Sequence, residues 1–334
     1  MTTRVGINGF GRIGRAFMRR ALERTDLKVV AVNDITDART LAHLLAFDST
    51  YGRLGSTVEH TKDALIIDGR SVPVLAQRDP AQIDWGGLGA DIVIESTGKF
   101  NSRDGAQLHL KGGARKVLIS APGKDVDLTV VLGVNQDAYD PSRHDVISNA
   151  SCTTNCVAPM AKVLHDAFDI QRGFMTTIHA YTGDQMLLDG PHKDLRRARS
   201  AAVSIIPTST GAARATGLVI PDLAGKLDGI AVRVPVPDGS LTDLAVVVSR
   251  DVTAEEVNQA FAAAGASGPL HGLLRYSTDP IVSHDIIGDS ASCVFDSPLT
   301  QASGTLVKVF GWYDNEWGYT CRLADLAVLV GSQL

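Results

Sequence analysis

The stretch Arg4-Val5-Gly6-Ile7-Asn8-Gly9-Phe10-Gly11-Arg12-Ile13-Gly14-Arg15 decides the fold. It holds a short apolar strand pattern over residues 4–8, the spacing GxGxxG, and the start of an amphipathic helix running to about Arg24. A lone GxGxxG is weak evidence, because glycine turns are common. Here the run Lys28-Val29-Val30-Ala31-Val32-Asn33-Asp34 follows, nearly continuous in apolar residues, as a strand buried on both faces of a parallel sheet requires. The unit is βαβ. Each glycine then has a reason: Gly9 for the tight turn, Gly11 for backbone approach to a pyrophosphate, Gly14 for helix against strand. The helix start offers unpaired N–H groups and a partial positive charge to phosphates. Asp34 lies 20 residues after Gly14, where its carboxylate accepts from ribose hydroxyls and repels a 2′-phosphate. The spacing predicts a dinucleotide site with NAD preferred over NADP. The competing reading, three glycines serving a turn and Asp34 capping a loop, lacks a reason for the strand–helix–strand context.

Working outward, further apolar runs at 90–95 and 116–120 alternate with helical stretches such as 102–112. The pattern predicts a doubly wound Rossmann-type parallel sheet over residues 1–150, completed by a C-terminal helix at 316–334. From residue 172 long strand patterns appear at 172–180, 227–237, 242–250 and 304–313. They predict an α+β catalytic domain over 151–315 with a mostly antiparallel sheet. Thr253-Ala254-Glu255-Glu256 reads as a capping box ahead of an alanine-rich helix. The fold class is α/β.

The bulk properties narrow the function classes. The chain has 334 residues, 44% hydrophobic and 21% charged, with a net charge of -5. That balance argues against nucleic acid or an anionic membrane as partner. Apolar runs stay short of the ~20 residues of a membrane span, and the N-terminus enters a strand at once without a leader pattern. Four cysteines do not make a disulfide scaffold in a chain of this length, so the expected compartment is cytoplasmic.

The segment Ser148-Asn149-Ala150-Ser151-Cys152-Thr153-Thr154-Asn155-Cys156 admits four readings: a disulfide, a metal site, a buried helix start, or a nucleophile among donors. A reducing compartment disfavours the disulfide, and zinc finds no further Cys or His nearby, so no metal is expected. A strand pattern at 145–148 precedes the segment and a helix pattern follows, which puts Cys152 at a helix N-terminus. A thiol there is biased toward thiolate, while Cys156 one turn on is expected buried and inert. His179, ending the strand pattern at 172–180, is the leading base among nine histidines, although spacing alone does not pair it with Cys152.

Taken together, these segments resemble phosphorylating glyceraldehyde-3-phosphate dehydrogenases over the whole chain. The matching stretches are INGFGRIGR at 7–15, FDSTYGR at 47–53, SAPGKDVD at 120–127, SNASCTTNC at 148–156, HAYTGDQ at 179–185 and GPHKDLRRAR at 190–199. PTSTGAA at 207–213, GIAVRVPVP at 229–237 and WYDNEWGY at 312–319 continue the series. The resemblance implies that Cys152 attacks the aldehyde of glyceraldehyde 3-phosphate, with His179 handling the proton. It implies a thioester on Cys152 that inorganic phosphate cleaves to 1,3-bisphosphoglycerate. Thr182, Arg197 and Arg233 match positions that recognise the substrate phosphate. Ser151, Thr153, Thr210 and Gly211 match those that hold the attacking phosphate. For NAD, Arg12 and Ile13 match backbone donors, Arg78 and Ser120 match contacts along the dinucleotide, and Asn315 matches the group orienting the nicotinamide amide. A homotetramer is implied, with the loop at about 181–204 packing between subunits. Two departures stand out. Gly190 replaces the leucine common before Pro191, which bears on NADP discrimination, and Gly183 replaces asparagine or alanine. The alternatives are an erythrose-4-phosphate dehydrogenase, which hydrolyses its thioester, and an NAD-binding redox-sensing or interaction protein.

Overall fold

In the computed structural model, which describes residues 2–334, the chain divides into two compact units. The first comprises residues up to Val130, Asp137–Ala150 and Thr320–Leu334; the second comprises Val131–Gln136 and Ser151–Tyr319.

The first unit is built on a nine-stranded sheet. Its order is Leu128–Thr129, Val146–Ser148, Lys116–Ile119, Ile92–Glu95, Thr3–Asn8, Leu27–Asn33, Arg70–Leu75, Ala64–Ile67 and Val58–His60. Pairing is parallel as far as Arg70–Leu75, and the last two pairings are antiparallel. Thr3–Asn8 sits where the winding reverses, with Leu27–Asn33 on one side and Ile92–Glu95 on the other. The apolar runs seen in the sequence are these central strands: Val5, Ile7, Val93, Ile94 and Leu118 are all fully buried. Each such side chain contributes about 1.5–3 kcal/mol of burial free energy. The C-terminal helix, Trp317–Gly331, lies mostly in this unit, tied by the ion pair of Arg24 with Asp325 at 2.5 Å.

The predicted helix at 102–112 is two short helices instead, Arg103–Ala106 and Leu108–Lys111. Gly105 lowers helix propensity in mid-segment, and the Ser102 side chain caps the first piece by accepting from Gly105 N at 3.2 Å.

The second unit holds an eight-stranded sheet ordered Ile206–Ser209, Leu227–Val234, Ile170–Ala180, Ser240–Val248, Leu306–Tyr313, Cys293–Asp296 and Leu274–Ser277, with Gln301–Ser303 also on Leu306–Tyr313. Two of its pairings are parallel and the rest antiparallel, as the pattern predicts. Helices Cys152–Phe168, Ala212–Val219 and Ala254–Ala266 contribute buried side chains to its core, where Phe261 stacks on Phe295 with centroids 3.7 Å apart. The capping box at Thr253 and Glu256 is formed in both directions.

Candidate active site

The thiol helix begins as its sequence suggests. Ser151 is the N-cap, its hydroxyl accepting from Thr154 N at 3.0 Å, and its carbonyl accepts from Asn155 N at 2.9 Å. Cys152 is therefore the first helical residue. Cys156, one turn further in, is fully buried with its Sγ 3.5 Å from the Gly311 carbonyl oxygen.

His179 enters from strand Ile170–Ala180, and its parallel register partner on Leu227–Val234 is Arg233. Cys152 Sγ lies 3.4 Å from His179 Nε2. The other ring nitrogen, Nδ1, is 2.7 Å from the Ala180 carbonyl oxygen, which can only accept, so Nδ1 carries the hydrogen. Nε2 is left with a lone pair facing the thiol. The Arg233 Nη1 group lies 2.9 Å from Nδ1, but its two hydrogens have better acceptors in Ala180 O at 3.0 Å and Thr182 Oγ1 at 3.1 Å.

Burial and nearby charge act in opposite directions on the thiol. Burial pushes the Cys152 thiol up to about 11, against the pull of Arg233 and of donors from Thr153. Burial, then Arg233, pushes His179 down to about 3. A helix N-terminus does not by itself outweigh desolvation of the sulfur. Burial thus opposes charge on both the sulfur and the ring, while Arg233 and the Thr153 donors favour the thiolate.

Tyr313 escaped sequence reasoning. Its hydroxyl lies 2.8 Å from both Thr153 Oγ1 and Thr177 Oγ1, and its ring meets the His179 ring edge-on at 6.0 Å. The Thr153 hydroxyl thus faces the core, and Ser151 spends its hydroxyl on the cap. What the segment offers an incoming anion is chiefly the N–H groups of the first turn. Thr210 and Gly211 open helix Ala212–Val219, which packs against the thiol helix.

Thr182, Arg197 and Arg233 come together through a residue that was also missed, Asp184. Its carboxylate accepts from Arg197 Nη1 at 2.6 Å and from the Thr182 hydroxyl, which in turn accepts from Arg233. These donors hold Asp184 below the usual carboxylate range in spite of its desolvation. The Arg233 Nε is buried with no partner. Asn315 is oriented: its Oδ1 accepts from Ser240 Oγ at 2.6 Å, turning the amide nitrogen the other way. Neither Gly183 nor Gly190 is imposed by crowding, since a Cβ at the first meets nothing within 4 Å and at the second makes ordinary contacts, with Met186 Sδ at 3.4 Å and Leu188 O at 3.7 Å.

The first unit carries its own cavity, about 270 Å³, just beyond the C-terminal ends of the central strands. Gly9, Gly11, Asp34 and Arg78 line it, together with Gln77 and Thr97. Gly9 has φ +94, and a Cβ on Gly14 would stand 2.2 Å from the Gly9 carbonyl oxygen. A Cβ on Gly11 would meet nothing within 4 Å, so the glycine leaves the backbone edge bare. Asp34 accepts from Phe10 N at 2.7 Å and Thr36 N at 2.9 Å, which keeps its carboxylate at the rim. Open backbone at a helix start, a carboxylate and an arginine at the point where the winding reverses fit a dinucleotide. The Arg12 guanidinium pairs with Asp48 at 3.1 Å, in keeping with a contribution through the backbone. Ser120 is not in the lining; it follows strand Lys116–Ile119, with its N–H on Glu95 O at 3.0 Å. Gln77 and Thr97 were missed, yet the rule that ligands bind past strand ends points to them, since they follow Leu75 and Glu95.

All four cysteines are free, and no group of three or more candidate metal ligands occurs among the described residues. No helix among them is long and apolar enough to cross a membrane.

Comparison with known proteins agrees with this geometry. The family model for the glyceraldehyde 3-phosphate dehydrogenase NAD binding domain matches residues 3–103, and that for the C-terminal domain matches 151–315. The chain belongs to the glyceraldehyde-3-phosphate dehydrogenase family. It is 63% identical over its full length to the whole glyceraldehyde-3-phosphate dehydrogenase of Streptomyces coelicolor. It is 57% identical to that of Geobacillus stearothermophilus, covering all of this chain and 99% of the relative. The activity is that of this family of oxidoreductases, and the cofactor is NAD.

Proposed function

We propose that this dehydrogenase is the phosphorylating enzyme and that Cys152 is its nucleophile. The observation that carries the reading is the 3.4 Å contact between Cys152 Sγ and His179 Nε2, with Arg233 hydrogen-bonded to Thr182 alongside. The Cys152 sulfur adds to the aldehyde carbon of glyceraldehyde 3-phosphate, while its proton passes through His179 Nε2 to the aldehyde oxygen, giving a hemithioacetal. NAD, when bound, supplies the acceptor for the hydride that leaves that carbon. His179 takes the hydroxyl proton as the carbonyl reforms, leaving a thioester on Cys152. Inorganic phosphate attacks the thioester carbon, the C–S bond breaks, and the sulfur recovers a proton from His179. The product is 1,3-bisphosphoglycerate. Nε2, with its lone pair toward the sulfur, is placed to take the thiol proton over a single contact.

Arg233, Thr182 and Arg197 hold the substrate phosphate, displacing the Asp184 carboxylate from their donors. The helix starts at Ser151–Thr153 and Thr210–Gly211 hold the attacking phosphate. Gly9, Gly11, Gly14, Asp34 and Arg78 with the Arg12 and Ile13 backbone bind NAD, Ser120 adds a contact further along it, and Asn315 orients its amide. The protein works in the cytoplasm as a homotetramer. Exposed Phe174, Ile230 and Leu306 on the second sheet, with Leu187, Leu188 and Leu195 on the 181–204 loop, support the assembly.

The deciding experiment follows NADH at 340 nm with glyceraldehyde 3-phosphate, with and without inorganic phosphate, and with NADP in parallel. Turnover that requires phosphate and prefers NAD is expected. Turnover indifferent to phosphate transfers the reading to a hydrolysing erythrose-4-phosphate type, and none at all to a binding protein.

A further inference from the structure

Beneath the dinucleotide cavity lies a buried carboxylate that the chemistry above does not use. Glu95 ends strand Ile92–Glu95, and its side chain and that of His109 are both fully buried. Four donors converge on it. Oε2 accepts from Asn8 Nδ2 at 2.6 Å and lies 3.0 Å from His109 Nε2. Oε1 accepts from Thr97 N at 2.8 Å and from Thr97 Oγ1 at 2.5 Å. The histidine tautomer follows from its other neighbour. Trp85 Nε1 can only donate, and it lies 2.9 Å from His109 Nδ1, so the hydrogen is on Nε2 and points at Glu95.

The relay does not stop at Glu95. Asn8 Oδ1 accepts from Asn33 Nδ2 at 2.7 Å, and Asn33 exchanges two hydrogen bonds with the Gln77 backbone, at 2.8 and 2.9 Å. Gln77 precedes Arg78 on one wall of the cavity, and Thr97 stands on the other. Thr97 also underlies the fingerprint turn, since a Cβ on Gly9 would meet Thr97 N at 2.6 Å. One carboxylate therefore determines where both walls and the first glycine sit.

We propose that Glu95, oriented by Trp85 and His109, is a positioning residue for NAD. It holds the strand ends at the spacing the dinucleotide requires without touching it. A buried network of this kind is stiff only while every donor is satisfied. Glu95→Gln keeps the shape but replaces one acceptor oxygen with an amide N–H₂. That group must face either the Thr97 donors or those of Asn8 and His109. The proposal rests on the cavity being the NAD site.

The test is calorimetric titration of the full-length protein with NAD. Glu95→Gln is expected to raise the NAD Kd at least ten-fold, and the KM for NAD with it, leaving kcat within two-fold. The rate at which iodoacetamide modifies Cys152 without NAD should not change. Thr97→Val, which removes the Oγ1 bond to Glu95 together with the one that Oγ1 accepts from Lys99 N, should raise Kd about three-fold, and it decides the matter alone if Glu95→Gln does not fold. Kd values within two-fold of the parent for the folded variants, whatever happens to Tm, overturn the relay. Asp34→Ala is the control. If it too leaves Kd unaltered, the cavity is not the NAD site; if it weakens binding while Glu95→Gln does not, only the relay fails.

Discussion

The two units build their sites by opposite means. In the first, the cavity is framed by backbone: glycines, of which Gly9 and Gly14 have no room for a side chain, a helix start, and polar residues just past strand ends. In the second, the site is a meeting of side chains from distant segments, with Cys152 on a helix, and His179 and Arg233 in register on neighbouring strands. Tyr313 comes from a third strand. The first kind of site leaves no room at Gly9 or Gly14 but spreads its function over many contacts. The second depends on single atoms.

That contrast can be broken most sharply at Cys152. Cys152→Ser should lower turnover by at least about 10⁴-fold while the Kd for NAD stays unchanged. Normal turnover in this variant would end the assignment of the nucleophile. His179→Asn should cost about 10³-fold in turnover and slow iodoacetamide modification of Cys152, because the proton then has no nearby acceptor. An unchanged alkylation profile against pH would remove His179 from its role. In Arg233→Gln the loss of a positive charge should move that profile to still higher pH, since Arg233 opposes the upward push of burial on the thiol.

His179 also makes a prediction about stability. Its imidazole stays neutral in the fold down to about 3, against 6.5 when exposed. The unfolded chain binds a proton that the folded one refuses, so stability falls as the pH drops below about 6.5. At pH 5 the loss is ~2 kcal/mol, and His179→Asn should abolish it, as chemical denaturation at pH 5 and pH 8 would show.

In the first unit the corresponding break is Gly14→Ala, whose methyl group would collide with the Gly9 carbonyl. It should destabilise the unit by about 1–3 kcal/mol and weaken NAD, leaving Cys152 alkylation alone. The smallest effect is expected away from both sites. Thr253→Ala removes the N-cap of helix Ala254–Ala266 and should lower Tm by only about 2–4 °C.

The same contrast explains what could be read from the sequence. Gly9, Gly11, Gly14 and Asp34 are legible because their spacing is local and each has one physical task. The parallel strands are legible because burial on both faces leaves continuous apolar runs. The Cys152–His179 contact spans 27 residues, and nothing local announces it; the resemblance to the family supplied it. Tyr313 and Asp184 had no signal, since a buried hydroxyl between two threonines and a carboxylate bridging donors depend on tertiary approach. The bias toward thiolate that a helix start gives is legible in the sequence, whereas the burial that opposes it at Cys152 is not.

The strand order of the first unit carries a consequence for behaviour in concentrated solution. A nine-stranded sheet has two rims of unpaired backbone, and each is a template on which another chain's strand can grow. Here one rim is the two-residue Leu128–Thr129 and the other the three-residue Val58–Glu59–His60, short and partly charged. Neither gives a stranger enough hydrogen bonds to hold. The unit that must keep its strand ends open for a cofactor keeps its flanks closed to aggregation.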